Sequence, residues 1–261
     1  MKKRIMGLLL AALLLTVPAR AADDITVTVE GETMPAFAVD GVTYVQLVPL
    51  LKALGGWEVS WDCQSCMATA ETDLFTLDVP LQRSYVLADG YTYWTGQAAL
   101  LREGHTYVPL RSVSNLLGAQ VDFVNWSTPV SVRERECAAY TEEDLYWLSR
   151  IISAESQGES LIGQIAVGDV ILNRVASDQF PNTIKEVVFD QKDGVQFEPV
   201  SNLTIYNEPT EQSVLAARLA LAGVDAAGES LYFFNPAFSQ GLWVRQNRTY
   251  YASIGSHLFY Q

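Results

Sequence analysis

Histidine and cysteine are scarce in this chain of 261 residues, which has two histidines and three cysteines. Zinc sites usually draw three or four ligands from these residue types and carboxylates. Residues 141–261 hold no cysteine and only His257. A Cys-His nucleophile pair and a multi-histidine zinc centre are therefore excluded there. No G-x-S-x-G serine elbow occurs either, and we predict no metal site and no cofactor.

The cysteines are Cys63, Cys66 and Cys137. In an exported chain, we expect a structural disulfide, either Cys63–Cys66 or one of these two with Cys137, and the odd count leaves one thiol over. A C-x-x-C sequence also occurs in redox and zinc sites. The chain has no second C-x-x-C and too few histidines to complete such a site, so the disulfide is favoured.

Positive charge is also in short supply, with 17 basic against 30 acidic residues and a formal net charge of −13. Binding to nucleic acid depends on a basic surface that neutralises phosphates. The composition therefore excludes nucleic acid as a partner.

Long apolar runs are rare, and only residues 5–17 form one. This run is too short to span a bilayer, which takes about 20 residues. Three basic residues precede it, and small residues follow it up to Ala21, a pattern typical of a signal peptide. We therefore expect residues 1–21 to be removed on export, leaving a mature protein without a membrane span.

The N-terminal half contains an internal repeat. The sequence T-Y-V-x-L at residues 43–47 recurs at residues 106–110, and each copy runs on to a Leu-Gly pair. Each copy predicts a β-strand that leads into an amphipathic helix with a glycine cap. Alternating stretches predict further strands at 25–29, 74–79, 84–87 and 130–133. Two such units indicate a duplicated α+β module whose core closes by pairing of the copies.

This repeat resembles the module found at the N-terminus of copper amine oxidases and in exported proteins of Gram-positive bacteria. The resemblance covers residues 24–134 and implies a non-catalytic attachment module. It does not imply copper, because a copper site needs clustered histidines and only His105 lies here. We expect a linker at 135–140 and a second domain at 141–261.

The second domain begins with a helix that carries two glutamates. Thr141 and Asp144 predict a capping box at its start. Apolar residues follow at helical spacing, and Glu155 and Glu159 continue the same face. Burial raises the pKa of a carboxyl group toward neutrality, as a general acid requires. Alternatively, the helix ends near Gly158 and both glutamates lie in solvent.

The rest of this domain predicts a mainly helical fold with a small β-sheet. We expect a buried helix over 161–175, in which Gly163 and Gly168 allow close helix contact. The further expected elements are a short helix at 183–189, a polar loop at 196–200, a helix at 210–223, and strands within 231–236 and 250–259. The fold class of the whole chain is therefore predicted to be α+β.

Several segments of this domain carry a second resemblance, at residues 153–159, 163–175, 180–183, 197–200, 232–236 and 254–259. In this order they resemble the SleB/CwlJ cell wall hydrolases, the spore-cortex-lytic enzymes. The resemblance implies a lysozyme-like lytic transglycosylase fold and cleavage of the bond between N-acetylmuramic acid and N-acetylglucosamine in peptidoglycan. It assigns the catalytic acid/base to the first glutamate of A-E-x-x-G-E, which is Glu155.

A lytic transglycosylase needs one carboxylic acid, whereas most glycosidases use a pair. We expect Glu159 to buttress Glu155, to bond the following loop or to contact substrate. The candidate substrate-binding residues are Glu159, Phe197, Tyr232, Asn235 and His257. Aromatic faces can stack on pyranose rings and an amide can bond an N-acetyl group, but each of these side chains can equally pack in the core.

The sequence departs from the family pattern in two places. Ser153, and then Ser156 with Gln157, stand where the resemblance predicts an aromatic residue or glycine and then Ala-Arg. The basic residue beside the acid is therefore missing, and substrate preference is expected to differ. The N-terminal module is not the peptidoglycan-binding repeat of spore germination enzymes, which leaves vegetative wall and spore cortex both open. The alternative function is a non-catalytic wall-binding protein with a decayed hydrolase domain.

Overall fold

The computed structural model describes residues 23–55, 57–71, 75–122, 130–134, 139–192 and 194–261. The expected signal peptide at 1–21 and most of the expected linker lie outside the described residues. Within them, strands dominate up to residue 134 and helices dominate from residue 142 onward. This distribution of strands and helices confirms the predicted α+β fold class.

In the described N-terminal half, short strands form three sheets and two helices cover them. The elements are β1 (Asp23–Asp24), β2 (Val27–Val29), β3 (Glu32–Met34), β4 (Ala36–Val39), β5 (Val42–Gln46), α1 (Leu47–Ala53), β6 (Glu58–Asp62), β7 (Met67–Glu71), β8 (Thr76–Pro80), β9 (Tyr85–Ala88), β10 (Tyr91–Trp94), β11 (Leu100–Arg102), β12 (His105–Pro109), α2 (Leu110–Leu116), β13 (Ala119–Asp122) and β14 (Val130–Glu134). The sheet orders are β1-β4-β5-β12-β11, β10-β9-β8-β7-β6 and β13-β14-β2-β3.

The two copies of the repeat pair with each other, as predicted. Strands β5 and β12 are antiparallel neighbours with Val45 opposite Val108, and each strand runs directly into its helix. Leu50 of α1 and Val113 of α2 are fully buried, and burial of such a side chain contributes about 1.5–3 kcal/mol. The pairing therefore joins both copies in one core.

The turn between β6 and β7 carries Cys63 and Cys66, which are both exposed and unbonded. The Cys66 thiol points to the Cys63 carbonyl oxygen at 3.7 Å, and Asp62 closes the turn by accepting a hydrogen bond from the backbone N–H of Gln64 at 2.9 Å. Of the expected pairings, the Cys63–Cys66 bridge is therefore absent. Cys137 lies outside the described residues.

The C-terminal half packs helices beside a small antiparallel sheet with the order β15-β17-β16. Its described elements are α3 (Glu142–Ser156), α4 (Leu161–Val175), α5 (Ile184–Val188), α6 (Glu198–Ser201), a 3-10 turn (Thr204–Tyr206), α7 (Glu211–Leu221), β15 (Tyr232–Phe234), α8 (Leu242–Asn247), β16 (Tyr250–Ile254) and β17 (His257–Tyr260). No helix within the described ranges combines the length and apolar character needed to cross a membrane.

Helix α3 starts as predicted and ends earlier than its apolar pattern suggests. The capping box between Thr141 and Asp144 is present. The last helical residue is Ser156, and the chain then turns, with the Glu159 N–H donating to the Ser156 carbonyl at 2.8 Å. Glu159 is therefore not on the helix, which corrects the expectation that both glutamates extend its apolar face.

Helix α4 is the buried centre of this half, as its sequence predicts. At Gly168, an added Cβ would lie 2.9 Å from Cδ1 of Ile152 on α3 and 3.3 Å from Cβ of Ala220 on α7. This glycine therefore allows three helices to pack closely. An added Cβ at Gly163 would instead meet the Glu159 side chain, with the Cβ atoms 3.0 Å apart.

Two elements differ from the sequence-based expectation. Residues 196–200 were expected to form a loop, but Glu198 begins the short helix α6, because Pro199 fits the first turn of a helix. Helix α8 was not predicted, and none of its residues is buried. Its lack of a buried apolar face explains why periodicity gave no signal there.

Candidate active site

Glu155 lies on the last turn of α3, where two cavities meet. A cavity of about 590 Å³ lies on one side and one of about 340 Å³ on the other. The residues that line both cavities are Ala154, Glu155, Gln157 and Glu198. These residues form a wall common to both cavities, and we call the two cavities together the cleft below.

The environment of Glu155 favours its protonated form. Burial is the main cause that raises its pKa to about 7, and the negative charge of Glu198 raises it further. The positive charge of Arg174 acts in the opposite direction. At mildly acidic pH the side chain therefore holds a proton that it can donate to a leaving group.

Arg174 lies in the wall of the larger cavity and is 5% exposed. Its Nε donates a hydrogen bond to the Leu231 carbonyl at 2.8 Å. Its guanidinium carbon lies 4.8 Å from the ring centre of Phe180 and 5.2 Å from that of Phe197. Its Nη1 has no hydrogen-bond partner within the part of the chain that the structure describes. Burial lowers the pKa of Arg174 to about 10, so it stays charged at neutral pH.

Glu159 connects the turn after α3 to the β16–β17 hairpin. Its carboxylate accepts a hydrogen bond from the backbone N–H of Ser256 at 3.2 Å and a short one from the Ser256 hydroxyl. Nδ1 of His257 lies 3.4 Å from the same carboxylate. A Cβ at Gly255 would overlap this carboxylate, so the absence of a side chain there permits the contact.

The buried Gln164 fixes the turn that carries Glu159. Its side-chain N–H groups donate to the carbonyl oxygens of Gln157 at 3.3 Å and Glu159 at 3.2 Å. Its own oxygen accepts from the Ser213 hydroxyl on α7 at 2.8 Å. Buried amides cost free energy unless they are hydrogen-bonded, so these bonds stabilise one conformation of the turn.

His257 is 6% exposed and lines the larger cavity. Burial lowers its pKa, while the charge of Glu159 acts to raise it. Its ring packs edge-on against Phe233 at 5.5 Å between centroids. His257 therefore packs against Phe233, contacts Glu159 and forms part of the cleft wall.

The remaining predicted residues have different positions. Phe197 is buried at 3% exposure and lines the larger cavity from below. Asn235 lines it too, with its side-chain N–H donating to the Ser256 hydroxyl at 3.1 Å. Among the described residues, Tyr232 is not part of either cavity wall. Its hydroxyl accepts a hydrogen bond from Arg248 at 2.7 Å.

The structure thus brings five of the six predicted residues to one cavity and leaves out Tyr232. Sequence reasoning gave no role to Arg174, Glu198, Phe238 or Ser256, which also line it. Arg174 had one signal, a cation within an almost wholly apolar helix. No group of three or more His, Cys, Asp or Glu side chains suited to a metal ion occurs among the described residues.

Comparisons with known proteins agree with both resemblances. The family described as Cell Wall Hydrolase matches residues 158–260, and the Copper amine oxidase N-terminal domain matches residues 24–132. The first match begins three residues after Glu155. It therefore includes Glu159, Asn235 and His257 and does not bear on the role of Glu155.

A spore cortex-lytic enzyme of Bacillus cereus is 38% identical over 120 residues, which are 46% of this chain and 45% of that enzyme. The chain thus spans about half the length of the curated relatives of this type. A solved catalytic domain of the germination-specific lytic transglycosylase SleB from Bacillus anthracis is 36% identical, with a TM-score of 0.43, and the match covers 47% of this chain and 98% of that one.

A shorter relative is matched over most of its length. The cell wall hydrolase CwlJ of Oceanobacillus iheyensis is 30% identical over 103 residues, which are 37% of this chain and 72% of that protein. Together with the matched family over residues 158–260, this shows that the chain belongs to the SleB/CwlJ family of cell wall hydrolases.

Proposed function

We propose that this chain is a secreted enzyme that cleaves the glycan strands of peptidoglycan. It acts as a lytic transglycosylase on the bond between N-acetylmuramic acid and N-acetylglucosamine, with Glu155 as its acid/base. The proposal assigns activity to residues 141–261 in a lysozyme-like fold. It assigns export to the signal peptide at 1–21 and wall attachment to the module at 24–134, joined by the linker at 135–140.

One observation carries the proposal, which is the position of Glu155 in the wall shared by two cavities. A glycan strand is a long polymer, so an enzyme that cuts within it needs a cleft that extends past the catalytic group. The cavities on either side of Glu155 provide this. Burial raises the pKa of Glu155 to about 7, which suits a general acid near neutral pH.

The reaction needs one proton donor that later accepts a proton. Glu155 donates its proton to the glycosidic oxygen, and the bond from muramic acid C1 to that oxygen breaks with its electron pair going to the oxygen. The C6 hydroxyl oxygen of the same sugar then bonds to C1, and its proton passes to the Glu155 carboxylate. The products are a free 4-hydroxyl and a 1,6-anhydro sugar, and the enzyme regains its starting state.

Some of the other cleft residues can contact the substrate, and others position their neighbours. Asn235 presents an amide that can bond an N-acetyl group, and Phe238, which is 90% exposed at the cavity edge, offers a ring face for a sugar. Glu159 acts as a positioning residue, because its carboxylate is occupied by Ser256. Tyr232 acts through Arg174 and Arg248, which pack on its ring.

The test is digestion of purified peptidoglycan from vegetative walls and from spore cortex, with the soluble fragments analysed by mass. The mature protein is compared with Glu155→Gln and with Glu142→Gln, which makes the same substitution at the exposed start of the same helix. We expect anhydro-muramic acid ends from the wild type and from Glu142→Gln only. Reducing ends would show hydrolysis, and no release from either substrate would favour the wall-binding alternative.

A further inference from the structure

Glu198 shares both walls of the cleft with Glu155. It is the first residue of α6, it is exposed, and it lines the cavity on each side of Glu155. Its charge is near enough to be the second largest influence on Glu155. Glu155 and Glu198 therefore both lie in the wall that the two cavities share.

The backbone around Glu198 is fixed. Phe197 before it is buried beneath the Arg174 guanidinium at 5.2 Å, and Pro199 after it is buried as well. The carbonyl of Glu198 accepts a hydrogen bond from the Asn202 N–H at 3.1 Å. Two buried neighbours and this bond hold α6, so the exposed carboxylate extends from a rigid base into the cleft.

We propose that Glu198 is a second catalytic carboxylate of this site, whose negative charge stabilises the positive charge that develops on the sugar as the glycosidic bond breaks. The inference rests on the proposed function, and it goes beyond a mechanism that uses one carboxyl group. In the mechanism with one carboxyl group, Glu155 acts alone. Here Glu155 transfers the proton, and Glu198 stabilises the positive charge on the sugar.

The chemistry of bond breaking supports this division. The transition state of glycoside cleavage resembles an oxocarbenium ion, with positive charge shared between C1 and the ring oxygen. A fixed negative charge placed where positive charge develops lowers the barrier. In this proposal Glu198 contributes only its negative charge and forms no bond to the substrate. The proton still moves from Glu155 to the leaving oxygen and returns from the C6 hydroxyl.

The two carboxyl groups also differ in environment as their roles require. Glu155 is largely buried and holds its proton, whereas Glu198 is exposed and its charged form is hydrated. Pairs of titratable groups with opposed environments commonly mark an acid and its charged partner. The charge of Glu198 additionally raises the pKa of Glu155, so its removal affects the pH dependence of the reaction.

The test compares kcat, KM and the pH profile of glycan cleavage for the wild type, Glu198→Gln, Glu198→Asp and the control Glu142→Gln. The ionisable groups that line the cleft are Arg150, Glu155, Glu159, Arg174, Glu198, Glu208 and His257, and all but Glu198 are kept in these variants. Burial, the main cause of the raised pKa of Glu155, is kept in every variant, so we expect its acid form to predominate at pH 5.5 and a difference in kcat there to report chiefly the effect of Glu198 on the substrate.

For Glu198→Gln we expect kcat at pH 5.5 to fall by about 10- to 100-fold and KM to change little. This fall is smaller than for a fully enclosed electrostatic group, because Glu198 is exposed. The midpoint of the alkaline limb is expected to move to lower pH. Glu198→Asp should restore the midpoint and part of kcat. If Glu198→Gln matches Glu142→Gln in kcat and midpoint while the wild type makes anhydro products, this inference is wrong and the proposed function stands.

Discussion

Glu155 is the residue at which stability and function conflict. Burial raises its pKa from 4.5 to about 7, which means that the folded protein binds this proton more tightly than the unfolded chain does. Each pKa unit corresponds to 1.36 kcal/mol. Keeping Glu155, the proposed acid, in this environment therefore costs about 3 kcal/mol once the group is ionised.

This cost predicts that Glu155→Gln stabilises the protein at alkaline pH. Below pH 4.5 the group is protonated in both states, and the raised pKa has no effect on stability. As pH rises from 4.5 through 7, the wild type loses stability and the variant does not. We expect chemical denaturation to show Glu155→Gln more stable by up to about 3 kcal/mol at pH 8 and equal at pH 4. An equal difference at both pH values would show that Glu155 is not held protonated by the fold.

At the scale of elements, we expect the proposed site to depend on contact between the turn after α3 and the β16–β17 hairpin. The two segments are 97 residues apart in sequence and meet at the Glu159 carboxylate and the Ser256 N–H. Gly255 lies between them with φ of +58° and no room for a Cβ.

Gly255→Ala is therefore expected to displace Glu159 and to lower activity. The matched control is Gly104→Ala, in another hairpin turn with φ of +79° and nothing within 4 Å of an added Cβ. Both substitutions carry a similar backbone strain of about 1–3 kcal/mol, and only the first also displaces a carboxylate. We expect Gly255→Ala to lose more stability than the control and to lower kcat/KM about 10-fold or more, because small displacements of catalytic groups are costly.

Equal losses in the two alanine variants, measured by thermal unfolding and cleavage rate, would indicate that only backbone strain matters at residue 255. The Glu159 contact would then have no part in positioning the site.

The elements also show what sequence reasoning can and cannot predict. Helical spacing and the Thr141 cap located α3 and put Glu155 on its buried face, because both signals are local. The role of Glu159 depends on Ser256, a partner far along the chain, and no periodicity reports such a contact. Sequence reasoning did not identify Glu198 for a similar reason, because α6 lies beside Glu155 only in the folded chain.

At the scale of the whole molecule, the two halves are packed against each other. The Asn115 side chain donates to the Asp225 carbonyl at 2.8 Å, and the Asp225 N–H donates back at 3.3 Å. At Gly118, with φ of +71°, an added Cβ would lie 2.6 Å from the Ala222 carbonyl oxygen. One contact cluster contains buried apolar residues of both halves, so we expect the halves to unfold together.

Gly118→Ala is expected to weaken this contact. Its control is Gly41→Ala, in the first repeat copy, with φ of +78° and nothing within 4 Å of an added Cβ. We expect the first variant to lose about 1–3 kcal/mol more than the second, and calorimetry to resolve its unfolding into two transitions. A single transition with equal losses would mean that the halves are not coupled through Gly118.

The central claim is that Glu155 donates the proton in glycan cleavage, and the rate of cleavage against pH tests it most directly. We expect the wild-type kcat/KM to be high at mildly acidic pH and to fall with a midpoint near 7, because the acid form is lost as pH rises. Glu155→Gln should lose about 10² to 10⁴ in rate at mildly acidic pH while staying folded, and it should no longer show the midpoint near 7. Glu142→Gln should follow the wild type. Cleavage by Glu155→Gln at the wild-type rate would contradict the account.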